Sequence, residues 1–240
     1  VFLWWVATGM DGWAPAGASA PVRLVLGGRS GRALHVLGLS VGRALKAAAV
    51  CSDPRSHPEA MADDPKWWTA ELTEIENHSS NGSWSPMLRS SLPKGRKLIK
   101  LVWAYKRKRD GRLKARLCVQ GCAQRPGVDY DQTYCATMRA SSLRSLSAAA
   151  AHLGLRMRRW DFVAAYLQGK LLDDEVVYCL PPPGHKMDIK GQPAMLRVEK
   201  PIYGMAQAGR RWQRSIFPWL EGHGFTASQE DTCVFVKRET

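Results

Sequence analysis

A single carboxylate, Asp161, interrupts a β-prone run from Arg156 to Leu167, and four residues further on the run carries Ala165 and then Tyr166. An ionised carboxylate inside a strand is expensive to desolvate unless it is paired or bound to a cation. Metal binding is the simplest reason to hold one there, since Mg²⁺ accepts one or two carboxylates plus substrate phosphates. Pairing with Arg158 or Arg159 is the structural alternative.

The charge balance points the same way. The 240 residues are 45% hydrophobic, enough for a core and for one or two domains. The net charge is +14 and the sequence pI about 9.8, which favours a polyanionic partner. Residues 65–240 carry 29 basic and 16 acidic side chains, so the excess belongs to the part that holds the motifs. Eleven basic residues and one acid lie between Lys94 and Arg116. They flank Asp110-Gly111, a strong hairpin signal between strands predicted over 98–109 and 112–120. Lys106, Arg107, Lys108 and Arg109 precede the turn, and Arg112, Lys114 and Arg116 follow it on one face. A charged tip can simply protect a sheet edge. A face of alternating cations also suits the gripping of phosphates, with strong salt dependence and no base preference.

Other classes are disfavoured. Cys51, Cys118, Cys122, Cys135, Cys179 and Cys233 form no C-x-x-C pair, which argues against structural zinc, and scattered thiols suit a reducing, intracellular setting. No run approaches the ~20 apolar residues of a membrane span, and Val1–Ala7 lacks the basic flank of a secretory signal. An intracellular, non-secreted protein without a membrane partner is expected, with compartment and oligomeric state open.

Residues 1–62 read as a low-complexity, poorly structured N-terminal extension with a weak helical run over Val41–Val50 and a linker over Cys51–Pro58. Order is expected from Asp64-Pro65, a helix start signal ahead of Trp67, Trp68, Leu72 and Ile75. A helix follows from Ser141 or Ser142 to His152, then strands over 156–167, 176–180 and 195–198. A helix over 207–220 and a strand over 232–236 complete the series. Strands and helices intermingle without a strict βαβ rhythm, so the class is α+β. The hairpin is expected to project from one sheet holding both the Asp161 strand and the Val176–Leu180 strand.

Three segments, in order, carry a resemblance. Lys114-Ala115-Arg116-Leu117 is followed by Gly121, Gln124, Gly127 and Asp129-Tyr130; then comes Asp161 to Gly169. The last is Pro201-Ile202-Tyr203-Gly204-Met205-Ala206-Gln207 with Arg210-Arg211-Trp212. Over residues 64–240 this resembles the reverse transcriptase of copia-type (Ty1/copia) retrotransposons. The resemblance implies fingers and part of a palm, and RNA-directed DNA polymerisation by two-metal nucleotidyl transfer. It also implies Mg²⁺ as cofactor, and an RNA template, a DNA primer and deoxynucleoside triphosphates as partners.

Residue by residue, the resemblance makes Asp161 the first metal-binding, catalytic aspartate. Lys114 and Arg116 fall where finger cations contact the triphosphate. Ala165 and Tyr166 fall where a small residue and an aromatic meet the sugar, the ring excluding a 2′-hydroxyl. Tyr203, Gly204 and Gln207 become nucleotide-side candidates. Lys106, Arg107, Lys108, Arg109, Arg112, Arg210 and Arg211 become candidate contacts to the nucleic-acid backbone. The family's paired Asp-Asp has no counterpart, since Asp63-Asp64 opens a helix and Asp173-Asp174 lies in a turn. The chain is therefore expected to be a fragment ending before that motif, with no polymerase activity by itself. Competing readings are a dead retroelement remnant that at most binds nucleic acid through the basic hairpin, and an unrelated RNA-binding protein. The ordered motif series argues against the second.

Overall fold

The computed structural model describes residues 53–238 and, before them, strands at 2–7, 26–27 and 33–40. In chain order the elements are β1 (Phe2–Ala7), β2 (Leu26–Gly27), β3 (Ala33–Ser40), α1 (His57–Asp63), α2 (Lys66–Ser80) and β4 (Trp84–Leu88). Then follow β5 (Leu98–Ile99), β6 (Leu101–Arg107), β7 (Leu113–Val119), α3 (Ala140–His152) and β8 (Arg156–Asp161). The series ends with β9 (Val177–Cys179), β10 (Asp188–Ile189), β11 (Gln192–Val198), α4 (Ala208–Gly222), β12 (Thr226–Ala227) and β13 (Val234–Arg238). The class is mixed α/β. Two compact units share the chain: residues 1–45, 135–165 and 214–240 form one, residues 46–134 and 166–213 the other.

The first unit is built on an antiparallel sheet in the order β12-β13-β3-β1-β8, with β2 beside β3. β1 lies between β3 and β8, with Phe2 opposite Asp161 and Val6 opposite Met157. The sequence reading leaves this N-terminal stretch without strands. The structure corrects that for 2–7 and 33–40, because Phe-Leu-Trp-Trp-Val-Ala is the unbroken β-prone run that a strand paired on both sides favours. The Val41–Val50 run lies outside the described residues. Ala150, Leu220, Cys233 and Phe235 are fully buried in this unit, and Phe217 packs edge-on to Phe235 at 4.8 Å. Asp231 caps α3 from a distance. Its carboxylate accepts from the Arg139 N–H (2.8 Å), the Ser142 hydroxyl (2.6 Å) and the Cys233 N–H (3.0 Å). Burial would raise its carboxyl, but these donors and the Arg139 charge hold it below the ordinary range.

In the second unit β11 pairs with β4, β9 and β10, and β5 joins β9 in parallel. The Val177–Cys179 strand thus belongs to a different sheet from Asp161, contrary to the sequence expectation. A three-residue strand takes its partners from the distant Leu98–Ile99 and Leu196–Val198, and no local pattern announces that. The expected linker is also partly a helix. Ser56 caps α1 by accepting from Glu59 N–H, and Pro58 sits in the first turn, where its missing N–H costs nothing.

β6 and β7 form the predicted hairpin, in register from Leu101 opposite Val119 to Arg107 opposite Leu113. Lys108 N–H donates to Arg112 O (2.8 Å) and Gly111 N–H to Lys108 O (2.9 Å), with Gly111 at φ +81°. That is a three-residue loop whose left-handed position only glycine fills cheaply. Leu101, Trp103 and Tyr105 face inward with Ala115, Leu117 and Val119. α2 packs on β7.

Beneath the hairpin lies a buried polar hub. The Glu71 carboxylate, fully buried, accepts from the Tyr105 hydroxyl and lies 3.0 Å from His57 Nδ1 and 2.7 Å from His185 Nε2. Burial and the Glu71 charge push the Tyr105 phenol far up, so it remains a donor. His185 also stacks on Trp68 at 4.4 Å, and Trp103 Nε1–H donates to Pro183 O (2.9 Å). Three remote segments, α1, α2 and the Pro183–His185 loop, are thereby tied to the hairpin.

Candidate active site

The free edge of β7 is capped from two directions. Leu117 N–H donates to Glu74 Oε1 (3.3 Å), and Val119 N–H to the Tyr203 carbonyl (2.8 Å). Burial would raise the Glu74 carboxyl, but His78, the Leu117 N–H and the nearby Arg116 charge hold it below the ordinary range.

The Tyr203–Gln207 segment is seated against β7 by two glycines. Gly204 has φ +86°, and a Cβ there would lie 2.1 Å from Val119 O. A Cβ on Gly121 would lie 2.0 Å from Gly204 O. Two glutamines lock the contact from below. Gln124 Nε2–H donates to Gln207 Oε1 (3.1 Å), Ala206 N–H to Gln124 Oε1 (2.8 Å), and Gln207 Nε2–H to Asp129 O (3.1 Å). Gln207 is fully buried and its amide is engaged at both ends. Gln207, expected as a nucleotide-side residue, holds the loop from underneath through these bonds.

On the outer face of β7 the predicted nucleotide residues meet. The Arg116 guanidinium lies 4.3 Å from the centroid of the Tyr203 ring, and Tyr203 packs edge-on to Tyr166 at 5.0 Å. A cation stacked on one ring keeps its N–H edge available to a phosphate while the ring fixes its direction. Lys114 stands exposed two residues earlier on the same face, directly opposite Lys106.

The basic tip is less open than its composition suggests. Lys106 pairs with Asp53 (2.7 Å), Arg107 with Asp63 (2.8 Å), and Arg112 with Asp110 (2.6 Å). Asp53 and Asp110 are both held below the ordinary carboxylate range: Asp53 by the Arg107 N–H and Lys106 against the effect of burial, Asp110 mainly by its bond from Arg112. Lys108 and Arg109 are exposed at the turn. Arg210 donates to the Tyr134 carbonyl (3.1 Å) and to the Gln132 side chain. Arg211, expected as a backbone contact, has an internal partner. It forms a buried bidentate pair with Glu175 through Nε and Nη2, at 2.6 and 2.7 Å.

Asp161 and Ala165 belong to the first unit. β8 ends at Asp161, earlier than the predicted strand, because Ala164 turns left-handed (φ 48°) ahead of a short helical turn over Ala165–Gln168. Ala165 is buried and Asp161 exposed. Asp161 offers the hard oxygen donor that Mg²⁺ prefers. Among the described residues no group of three or more His, Cys, Asp or Glu side chains is arranged to hold a metal. Burial pushes the Cys118 thiol up to about 11 and Cys179 to about 12, so neither is a nucleophile near neutral pH. No helix of the described residues is long and apolar enough to cross a membrane.

Gln124 and Glu74 take positioning roles that the sequence reading does not include. Gln124 stands in the quoted Gly-x-x-Gln motif, but Glu74 lies on a helix with no motif to mark it. Asp53 and Asp63 answer the tip from 44 to 54 residues away, a separation that carries no local signal.

Residues 87–240 match the family model for "Reverse transcriptase (RNA-dependent DNA polymerase)". The chain is 31% identical over 189 residues to the "Retrovirus-related Pol polyprotein from transposon TNT 1-94" of Nicotiana tabacum, covering 76% of this chain and 13% of that polyprotein. It is 35% identical over 193 residues to the transposon RE2 Pol polyprotein of Arabidopsis thaliana, covering 78% and 13%. With the transposon Ty1-BL Gag-Pol polyprotein of Saccharomyces cerevisiae it shares 28% over 152 residues, covering 59% and 8%. The chain thus spans about an eighth of the plant polyproteins it matches. No solved structure matches it. With the family model matched over residues 87–240 and plant relatives 31–35% identical over three-quarters of its length, the chain belongs to the reverse transcriptase family, in its copia-type branch.

Proposed function

We propose that residues 64–240 are the fingers and part of the palm of an RNA-directed DNA polymerase, acting by two-metal nucleotidyl transfer on an RNA template, a DNA primer and deoxynucleoside triphosphates. The observation that supports this most is the Arg116–Tyr203–Tyr166 cluster, which joins three motifs far apart in sequence on one half-buried face. The strands at 2–7 and 33–40 extend the sheet that carries Asp161.

Arg116 and Lys114 would take the triphosphate, with Arg116 aimed by its stack on Tyr203. Tyr166 would lie against the sugar, where its bulk leaves no room for a 2′-hydroxyl. Gly204 and Gln207 shape the loop without touching substrate. Asp161, carried over from the family's motif, would supply a carboxylate oxygen to Mg²⁺. When bound, the metal supplies charge neutralisation for the attacking 3′-oxygen and the leaving pyrophosphate. Lys108, Arg109 and Arg210 would track a phosphate backbone, while Lys106, Arg107 and Arg112 are shared with internal acids.

Exchanging residues 87–240 into the tobacco polyprotein it resembles tests this reading. Primer extension should survive the exchange, and Asp161→Asn should abolish it while leaving nucleic-acid binding nearly intact. In the isolated chain, Lys114→Ala with Arg116→Ala should flatten log K against log salt by about two counterion units. Extension by the Asp161→Asn exchange at the level of its parent would refute the assignment.

A further inference from the structure

Tyr134 is the most exposed large hydrophobic side chain among the described residues, at 74%. A lone exposed ring is ordinary on a protein surface. This one is not loosely held. Arg210, reaching from α4, donates to the Tyr134 carbonyl (3.1 Å) and to the side chain of Gln132, so one guanidinium fixes the backbone on which the ring stands. The result is an outward aromatic face beside a positioned cation and an amide, all within one compact unit.

Flat π-faces beside cations are how single strands are held without base preference: the ring stacks on an unpaired base while the cation follows the backbone. A duplex keeps its base faces inside and offers this ring nothing except at its ends. An apolar protein partner would need a wider patch than one ring.

We propose that Tyr134, held by Arg210 and flanked by Gln132, is a stacking step for unpaired bases of a single-stranded nucleic acid, the class to which a template ahead of the primer terminus belongs. This rests on the polymerase reading but names a contact that reading does not supply. Tyr134 provides the stacking face, and Arg210 is both its support and its phosphate contact.

The test is binding of the full chain to three probes: a fluorescein-labelled oligo(U), the matching oligo(dT), and a long blunt duplex. Tyr134→Ala should weaken both single-strand probes about tenfold and the duplex less than twofold. Tyr134→Phe and Tyr134→Trp should bind as the parent does, and Arg210→Ala should weaken single strands by at least as much as Tyr134→Ala. Equal loss on single strand and duplex, or no loss on either, would overturn the stacking step. Loss on oligo(U) alone would replace it with a 2′-hydroxyl contact, and so would also overturn it. If Tyr134→Ala binds normally while Lys114→Ala with Arg116→Ala weakens all three probes, the stacking proposal fails and the polymerase reading stands. If the parent binds none of the probes, both fail.

Discussion

Gly204 passes so close to Val119 that a Cβ on the glycine would lie 2.1 Å from the valine carbonyl oxygen. The same pair is bridged next door by the Val119 N–H on the Tyr203 carbonyl at 2.8 Å. Gly204→Ala therefore meets both a left-handed backbone (φ +86°) and a backbone clash. It should destabilise the chain by about 2 kcal/mol or more, read as a drop of several degrees in the unfolding midpoint. A midpoint within a degree of the parent would mean the loop does not press on β7 as described.

Glu71 should be the most sensitive polar position of the second unit. Glu71→Ala leaves the Tyr105 hydroxyl, His57 and His185 facing a cavity, with an expected loss of about 3–5 kcal/mol in urea unfolding. Glu71→Gln should be milder, because its amide still offers one acceptor. If Glu71→Ala unfolds at the parent's urea midpoint, the hub does not anchor the hairpin.

Acid should weaken both units through identifiable carboxylates. Glu74 and Asp231 are each held below their ordinary values of 4.5 and 3.8. A depressed carboxyl contributes stability that is fully present above its unfolded-state value and lost as pH falls through its folded-state value. The loss should therefore begin below about pH 4.5 and deepen beneath pH 3.8. Asp231→Asn should lower stability at neutral pH and shrink the acid-dependent part of the loss, measured as the urea midpoint from pH 7 to 3. An unchanged acid slope in Asp231→Asn would remove the α3 cap from the explanation.

What the sequence made legible was local. The Asp110-Gly111 turn and the Leu101/Trp103/Tyr105 alternation identify the hairpin, because turn chemistry and strand period act between near neighbours. The cations Lys114 and Arg116 are legible from strand alternation, the aromatic members of the candidate site only through motif resemblance. What stayed hidden depends on distance. Lys106 and Arg107 look like free cations until Asp53 and Asp63 are brought to them by the fold. Arg211 reads as a phosphate contact until Glu175 is found beside it. Gln207 reads as a ligand group until Gln124 and Asp129 are seen to occupy its amide. The three-residue β9 carries no mark of the sheet it joins.

The central claim is that Arg116 and Tyr166, joined through Tyr203, form the nucleotide face of a polymerase. Competition of deoxynucleoside and ribonucleoside triphosphates against a fluorescent deoxynucleotide measures it most directly. The parent chain should favour the deoxynucleotide. Arg116→Ala should weaken both about tenfold, in line with the loss of a charge-assisted contact to phosphate. Tyr166→Ala should keep the affinity for the deoxynucleotide but erase the preference over its ribonucleotide counterpart. Unaltered binding in Arg116→Ala, or a preserved preference in Tyr166→Ala, would contradict the account.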